Sequence, residues 1–327
     1  MKNNSPAEWN ENLSKTIDLL RFPLALWVLF AHMGPTMENV FFADFSFFSW
    51  HGIYNFLGFF LSKVIGVVTV PTFFMISGYL FFVNFKDWSW EGYKKKIISR
   101  FKTLILPYIA WNVLAFLLII LNGLRKNANV QEFISDNWCS FLWNCNAWDR
   151  VRYSWLSWDT YGTGPIDLPL WFLRDLIVVS ILSPLIFLFV RKTKIWGLAV
   201  LFVAYMSYFW MAWNVFSITS LFFFSLGAYF ALNDINFVFL ARRHKLKIIL
   251  LSVISFGFYF YYFKVDTDIE GISRNLFVFI AVFFIFIIAS ILAECKNIKP
   301  NKVLMSTCFF IFAEHKCAPI DALGWTD

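Results

Sequence analysis

Three titratable side chains stand in one apolar stretch, Ile17–Met33 (IDLLRFPLALWVLFAHM): Asp18, Arg21 and His32. Charge in hydrocarbon is disfavoured, so an ionisable residue inside a span is a candidate for function. Asp18 and Arg21 are spaced i, i+3 and can pair on one helix face. Arg21 and His32 are eleven residues apart, about three turns and about 16 Å of helix at 1.5 Å per residue. One helix would therefore hold an acid–base pair near one membrane surface and, on the same face, an imidazole near the other. Imidazole is the side chain whose ordinary titration range lies nearest neutrality. The competing reading is that Asp18 and Arg21 snorkel at the helix end while His32 marks the opposite interface.

The chain that must position these groups has 327 residues and is 59% hydrophobic, 22% aromatic and 15% charged. Soluble domains carry about 25% charged residues. The mean hydropathy is +0.63, and several runs approach the roughly 20 apolar residues that span a bilayer. The expected fold is all-α, a polytopic helical membrane protein forming a single integral membrane domain over 1–327. Spans are expected near 17–34, 64–83, 104–122, 169–190, 195–213, 215–233, 248–263, 275–293 and 303–318, about nine in all. The aromatic-rich segment 35–63 reads as a loop with an interfacial helix at Tyr54–Leu61. A longer Trp-rich loop, 123–168, suits the membrane–water interface or a carbohydrate-stacking surface. The polar tail, 1–16, has no signal-peptide hydrophobic region, so the first span is expected to stay as an anchor. No internal repeat is apparent.

With the N-terminus placed inside, eighteen Lys and Arg fall in inner segments and eight in outer ones, leaving Arg21 and Arg174 within spans. That asymmetry favours a cytoplasmic N-terminus. Arg21 then lies at cytoplasmic depth, His32 near the outer face, and loop 123–168 is extracytoplasmic. The net charge of +7 follows from this distribution and is not a nucleic-acid signal. Of five cysteines, none has metal-ligand spacing with histidine, and no metal site is expected. Cys139 and Cys145 share one loop, as a small disulfide or as two thiols.

Three further stretches, with the first, carry a resemblance. Val70–Phe81 reads VPTFFMISGYLF, Ser99–Trp111 reads SRFKTLILPYIAW, and Leu170–Leu176 reads LWFLRDL; with the Arg21–His32 spacing they stand in a consistent order. On these motifs, from the first span to about residue 317, the chain resembles the acyltransferase family 3 membrane proteins, which O-acylate surface polysaccharides and glycolipids. It departs from the family pattern before the third span. There Arg100 is present, but Thr103 stands at the second basic position, with Lys102 beside it. Family members usually have about ten spans, and the tail CAPIDALGWTD does not read as a tenth, which is therefore expected to be missing.

The resemblance implies transfer of an acyl group, usually acetyl, from cytoplasmic acyl-CoA to a sugar hydroxyl in a bacterial inner membrane. Acetyl-CoA would be a donor substrate, with no resident cofactor. The acceptor would be a surface polysaccharide or lipid-linked sugar. His32 is then the expected base. Arg21 orients it or binds the donor, and Asp18 neutralises Arg21. Arg100 and Lys102 are expected at the donor phosphates, within a basic cluster that also includes Lys94, Lys95 and Lys96. Ser77 and Tyr79 line a cavity, or else Ser77-Gly78-Tyr79 is a small-residue notch that lets helices approach. Trp171 and Arg174 are expected near the acceptor, with His315 as a further group at outer depth. Because neighbours in sequence do not face each other on a helix, Arg174 and Asp175 are expected to find other partners. A transporter or flippase for a lipid-linked glycan, with Arg21 and His32 as a relay, is the alternative; internal repeats would favour it.

Overall fold

A computed structural model describes residues 6–33, 49–85, 87–125, 129–138, 142, 165, 170–207, 217–265 and 269–295. Among them every regular element is helical, as composition predicts. The order is α1 (Pro6–Met33), α2 (Trp50–Phe59), a π-helical turn (Phe60–Ile65), α3 (Gly66–Phe82), α4 (Trp90–Arg100), a second π-helical turn (Phe101–Ile105), α5 (Leu106–Arg125) and α6 (Val130–Asn137). There follow α7 (Trp171–Ile181), α8 (Ser183–Met206), α9 (Ile218–Leu232), α10 (Phe237–Arg243), α11 (Lys245–Val265) and α12 (Ile269–Glu294).

Four helices among the described residues are long and apolar enough to cross a membrane: Trp50–Phe82, Trp90–Arg125, Lys245–Phe263 and Ile269–Glu294. Two bent pairs, α7 with α8 at 65° and α9 with α10 at 95°, make six if each is one span. The expected ninth span, 303–318, lies outside the described residues.

Two boundaries differ in an instructive way from the sequence expectation. The interfacial helix expected at Tyr54–Leu61 begins at Trp50 and runs unbroken into the second span, giving 33 residues of helix. Its start is fixed by Ser49, whose hydroxyl accepts from the Gly52 N–H at 3.0 Å, satisfying one of the free donors of a helix N-terminus. The π-helical turn takes up the change of register without ending the helix. The third span likewise extends back to Trp90, capped by Ser89, which accepts from the Gly92 N–H at 3.2 Å. By contrast, the break expected at Arg191–Lys194 is present. Lys194 has φ 53°, a conformation disfavoured for a residue with a Cβ, and it divides α8 into two helical segments.

The chain falls into two compact units, each discontinuous in sequence: 1–86, 189–209 and 222–311 in the first, and 87–188, 210–221 and 312–327 in the second. In the first unit α1 packs against α3, α12 and the π-helical turn Phe60–Ile65, and α12 also packs against α11 and α10. Ile17, Leu20, Leu24, Ala25 and Val28 are buried along α1, the spacing of a stripe facing a core. In the second unit α4 packs against α7, and α6 folds back on α5 with Phe116 and Phe133 in ring contact at 5.6 Å.

Candidate active site

Asp18 and Arg21 lie at the margin of the buried stripe of α1, since Ala25 and Val28 follow Arg21 at i+4 and i+7. Arg21 Nη1 lies 3.5 Å from Asp18 Oδ1, with the two side chains 37% and 34% exposed. The i, i+3 pairing expected from sequence is therefore present, and it is half-open rather than sealed in the core. Pro23 follows within the same helix and removes a backbone hydrogen bond to the preceding turn. Two residues before Asp18, Thr16 is fully buried, and its hydroxyl donates to the Asn12 carbonyl at 2.7 Å. The Asn12 amide in turn donates to Glu294 Oε1 at 3.2 Å, which ties the start of α1 to the end of α12. The α1 backbone continues through His32, whose side chain lies outside the described residues, as does His315.

On α3, Gly78 is where the backbone of α9 comes closest. A Cβ on Gly78 would lie against the Phe224 carbonyl, and one on Gly227 would lie against the Met75 carbonyl. Each glycine thus admits the other helix's backbone, the close approach that small residues permit in membranes. This favours the packing role of the Ser77-Gly78-Tyr79 stretch over the cavity role. Ser77 is buried. The Tyr79 ring meets the Phe237 ring edge-on at 5.4 Å.

In the second unit, Arg100 ends α4 and Lys102 stands in the π-helical turn that follows. Arg100 is half-buried, whereas Lys94, Lys95 and Lys102 are exposed. The Thr103 hydroxyl donates to the Ser99 carbonyl at 3.0 Å, so the residue standing where the pattern has a second base is tied to its own helix. π-helical turns are rare and frequent at functional sites, because the extra residue re-aims the side chains around them.

α7 carries Arg174 and Asp175 at the start of the expected fourth span, with a different pairing. Arg174 and Asp175 were expected to find other partners, yet they bond to each other. Arg174 Nε and Nη2 donate to Asp175 Oδ1 at 3.2 Å and 3.0 Å. Burial is the cause: the two are 5% and 0% exposed, and a buried guanidinium long enough to fold back takes the nearest carboxylate. Asp175 Oδ2 accepts the backbone N–H of Ser217 at 2.8 Å. Ser217 precedes α9, and its hydroxyl accepts from the Ser220 N–H at 3.2 Å. The carboxylate therefore sits at a helix N-terminus, where unpaired N–H groups and the helix dipole favour an anion. Trp171, half-buried, opens the same helix. Sequence reasoning missed the Ser217 contact; the only local signal was a serine ahead of an apolar run.

Among the described residues no three His, Cys, Asp or Glu side chains gather as a metal-binding group. Cys139 and Cys145 lie outside those residues, and Cys295 is an exposed free thiol.

Comparison with known proteins shows the family. The model of the acyltransferase 3 family, described as an acyltransferase domain, matches residues 14–318. The chain belongs to the acyltransferase 3 family. It is also similar to the succinoglycan biosynthesis protein ExoH of Rhizobium meliloti (strain 1021), at 28% identity over 244 residues. That match covers 71% of this chain and 57% of ExoH; the chain thus spans little more than half the length of that relative. No solved structure matches. The family stretch contains all of the candidate residues, from Asp18 on α1 to Arg174 on α7 and on through His315.

Proposed function

We propose that this protein transfers an acyl group, acetyl in the simplest case, from acyl-CoA to a hydroxyl of a surface polysaccharide or lipid-linked glycan. The observation that carries the reading is the family match over 14–318, which includes the half-open Asp18–Arg21 pair and His32 eleven residues beyond Arg21. The name of the ExoH relative supports a polysaccharide acceptor. The setting is the bacterial inner membrane, with the N-terminus cytoplasmic.

In this reading His32 takes the proton of the acceptor hydroxyl as its oxygen attacks the thioester carbonyl. The tetrahedral intermediate collapses to an ester and expels the CoA thiolate, which takes the proton back from the His32 imidazolium. Arg21 and His32 are about 16 Å apart along the helix, too far for both to act on one carbonyl. Arg21 therefore serves the donor at its phosphate end, where a guanidinium fork suits an anion, and the extended pantetheine arm reaches toward His32. Asp18 holds the Arg21 guanidinium in place. Arg100 and Lys102 are further candidates for donor binding, on the family pattern before the third span.

The test is mass spectrometry of surface glycans from cells with and without the protein. An acyl mass difference that disappears with the gene and returns with the wild-type chain is the expected result. Identical glycans in both strains, with the protein expressed, would overturn the reading.

A further inference from the structure

The chain leaves α9 through a defined stop. The Asp234 N–H bonds to the Ala231 carbonyl at 3.3 Å and the Ile235 N–H to the Phe230 carbonyl at 2.9 Å, with Asp234 at φ 52°. This is the Schellman pattern, which ends a helix with one left-handed residue. Asn236 then caps α10, accepting from the Phe239 N–H at 2.9 Å. The result is a short helix bent 95° from α9.

α10 has two faces. Phe237, Val238 and Ala241 are buried, and Phe237 packs on Phe286 of α12 at 4.8 Å. Arg242 bonds to both carboxylate oxygens of Glu294, the same carboxylate that receives Asn12 of α1. Arg243 at the end of α10, His244 after it, and Lys245 and Lys247 in the first turn of α11 are exposed. Among the described residues no carboxylate pairs with Arg243, Lys245 or Lys247. Interleaved with these cations are exposed apolar side chains: Phe239 at 36%, Leu240 at 43% and Leu246 at 75%.

We propose that Phe237–Lys247 is a binding site for anionic phospholipid: Arg243, Lys245 and Lys247 take the headgroup phosphates while Phe239, Leu240 and Leu246 enter the acyl boundary. Cations interleaved with exposed apolar side chains, across the end of α10 and the first turn of α11, are what such a lipid surface requires. A soluble phosphate ligand would gain from the cations but nothing from Leu240 and Leu246. The bound lipid steadies α10, and through Arg242, Glu294 and Asn12 it steadies the start of α1.

The test uses the full chain in neutral detergent, titrated with phosphatidylglycerol and separately with phosphatidylcholine, with bound lipid read by native mass spectrometry. The wild type is expected to retain phosphatidylglycerol in preference. The triple variant Arg243→Gln, Lys245→Gln, Lys247→Gln should lose about fivefold in phosphatidylglycerol affinity per charge removed, with phosphatidylcholine unchanged. The charge-keeping variant Arg243→Lys, Lys245→Arg, Lys247→Arg should retain the preference, which separates lost charge from lost structure. A glutamine variant with wild-type preference for phosphatidylglycerol would overturn the proposal. So would a glutamine variant that loses coenzyme A binding while keeping that preference, since the cluster would then serve a soluble phosphate.

Discussion

The Asp175 carboxylate accepts the backbone N–H of Ser217, 42 positions further along the chain, at 2.8 Å. With Arg174 on its other oxygen, Asp175 joins a buried cation to the first turn of α9. Asp175→Asn removes the charge that neutralises Arg174 and leaves a guanidinium in a dry site, a loss of about 3–5 kcal/mol. Replacing both, as Arg174→Met with Asp175→Asn, should restore much of that stability, because the buried guanidinium is removed together with the carboxylate it bonds to. Chemical denaturation of the purified variants measures both. Double and single variants of equal stability would show that Arg174 draws its compensation from elsewhere.

Gly78 and Gly227 make a second sharp case. An added methyl at either meets the backbone of the opposite helix, which cannot move as a side-chain tip does. Gly78→Ala and Gly227→Ala should each be destabilising by about 1–3 kcal/mol. Gly257 of α11 is the internal control, since a Cβ there meets nothing within 4 Å. There the gain in helix propensity is expected to stabilise by roughly 0.5–1 kcal/mol. Thermal unfolding in one detergent checks all three, and a Gly78→Ala protein that melts with the wild type would mean the two helices do not close on each other.

These cases also mark where the sequence was legible. The Asp18–Arg21 pair was readable because both partners lie on one turn of one helix. The break at Lys194 was readable because four polar residues, Arg191–Lys194, interrupt two apolar runs. The Gly78 notch was readable as half of a contact, but nothing local points to Gly227, since that crossing depends on how α3 and α9 meet. The continuity of Trp50–Phe82 was hidden because Trp, His, Gly and Tyr at its start have the composition of an interfacial loop, while the serine cap and π-helical turn leave only weak traces. Arg174 with Asp175 was misread because helical spacing rules describe side chains that point outward, and these two are buried.

Orientation is open to chemical labelling. Cys295 is exposed at the end of α12, next to Glu294, which bonds to Asn12 near the start of α1. With the N-terminus cytoplasmic, Cys295 should react with a membrane-impermeant maleimide only after cells are opened. Cys139 and Cys145, in the loop placed outside, should react in intact cells after reduction. The reverse pattern would invert the topology and move His32 to the cytoplasmic side.

His32 is the residue on which the proposed reaction depends, and Arg21 gives the contrast that makes its role measurable. His32→Ala removes a general base, an effect of about 10²–10⁴-fold in rate. It should fall on kcat, because the base acts as the acceptor oxygen attacks. Membrane insertion should be intact, since the span only becomes more apolar. Arg21→Ala should instead raise KM for acyl-CoA, since Arg21 stands about 16 Å from His32 along the helix and is assigned to the donor phosphate. It also leaves Asp18 without its partner, so Asp18→Asn in the same chain should recover part of any lost stability but none of the donor affinity. Sites this far apart with separate tasks give nearly additive free energies. The double variant His32→Ala, Arg21→Ala should therefore show the product of the two single effects on kcat/KM. Steady-state acyl transfer to glycan by well-expressed variants tests this. A strongly non-additive double variant would mean that both residues act on one transition state. Wild-type turnover by His32→Ala would end the general-base assignment.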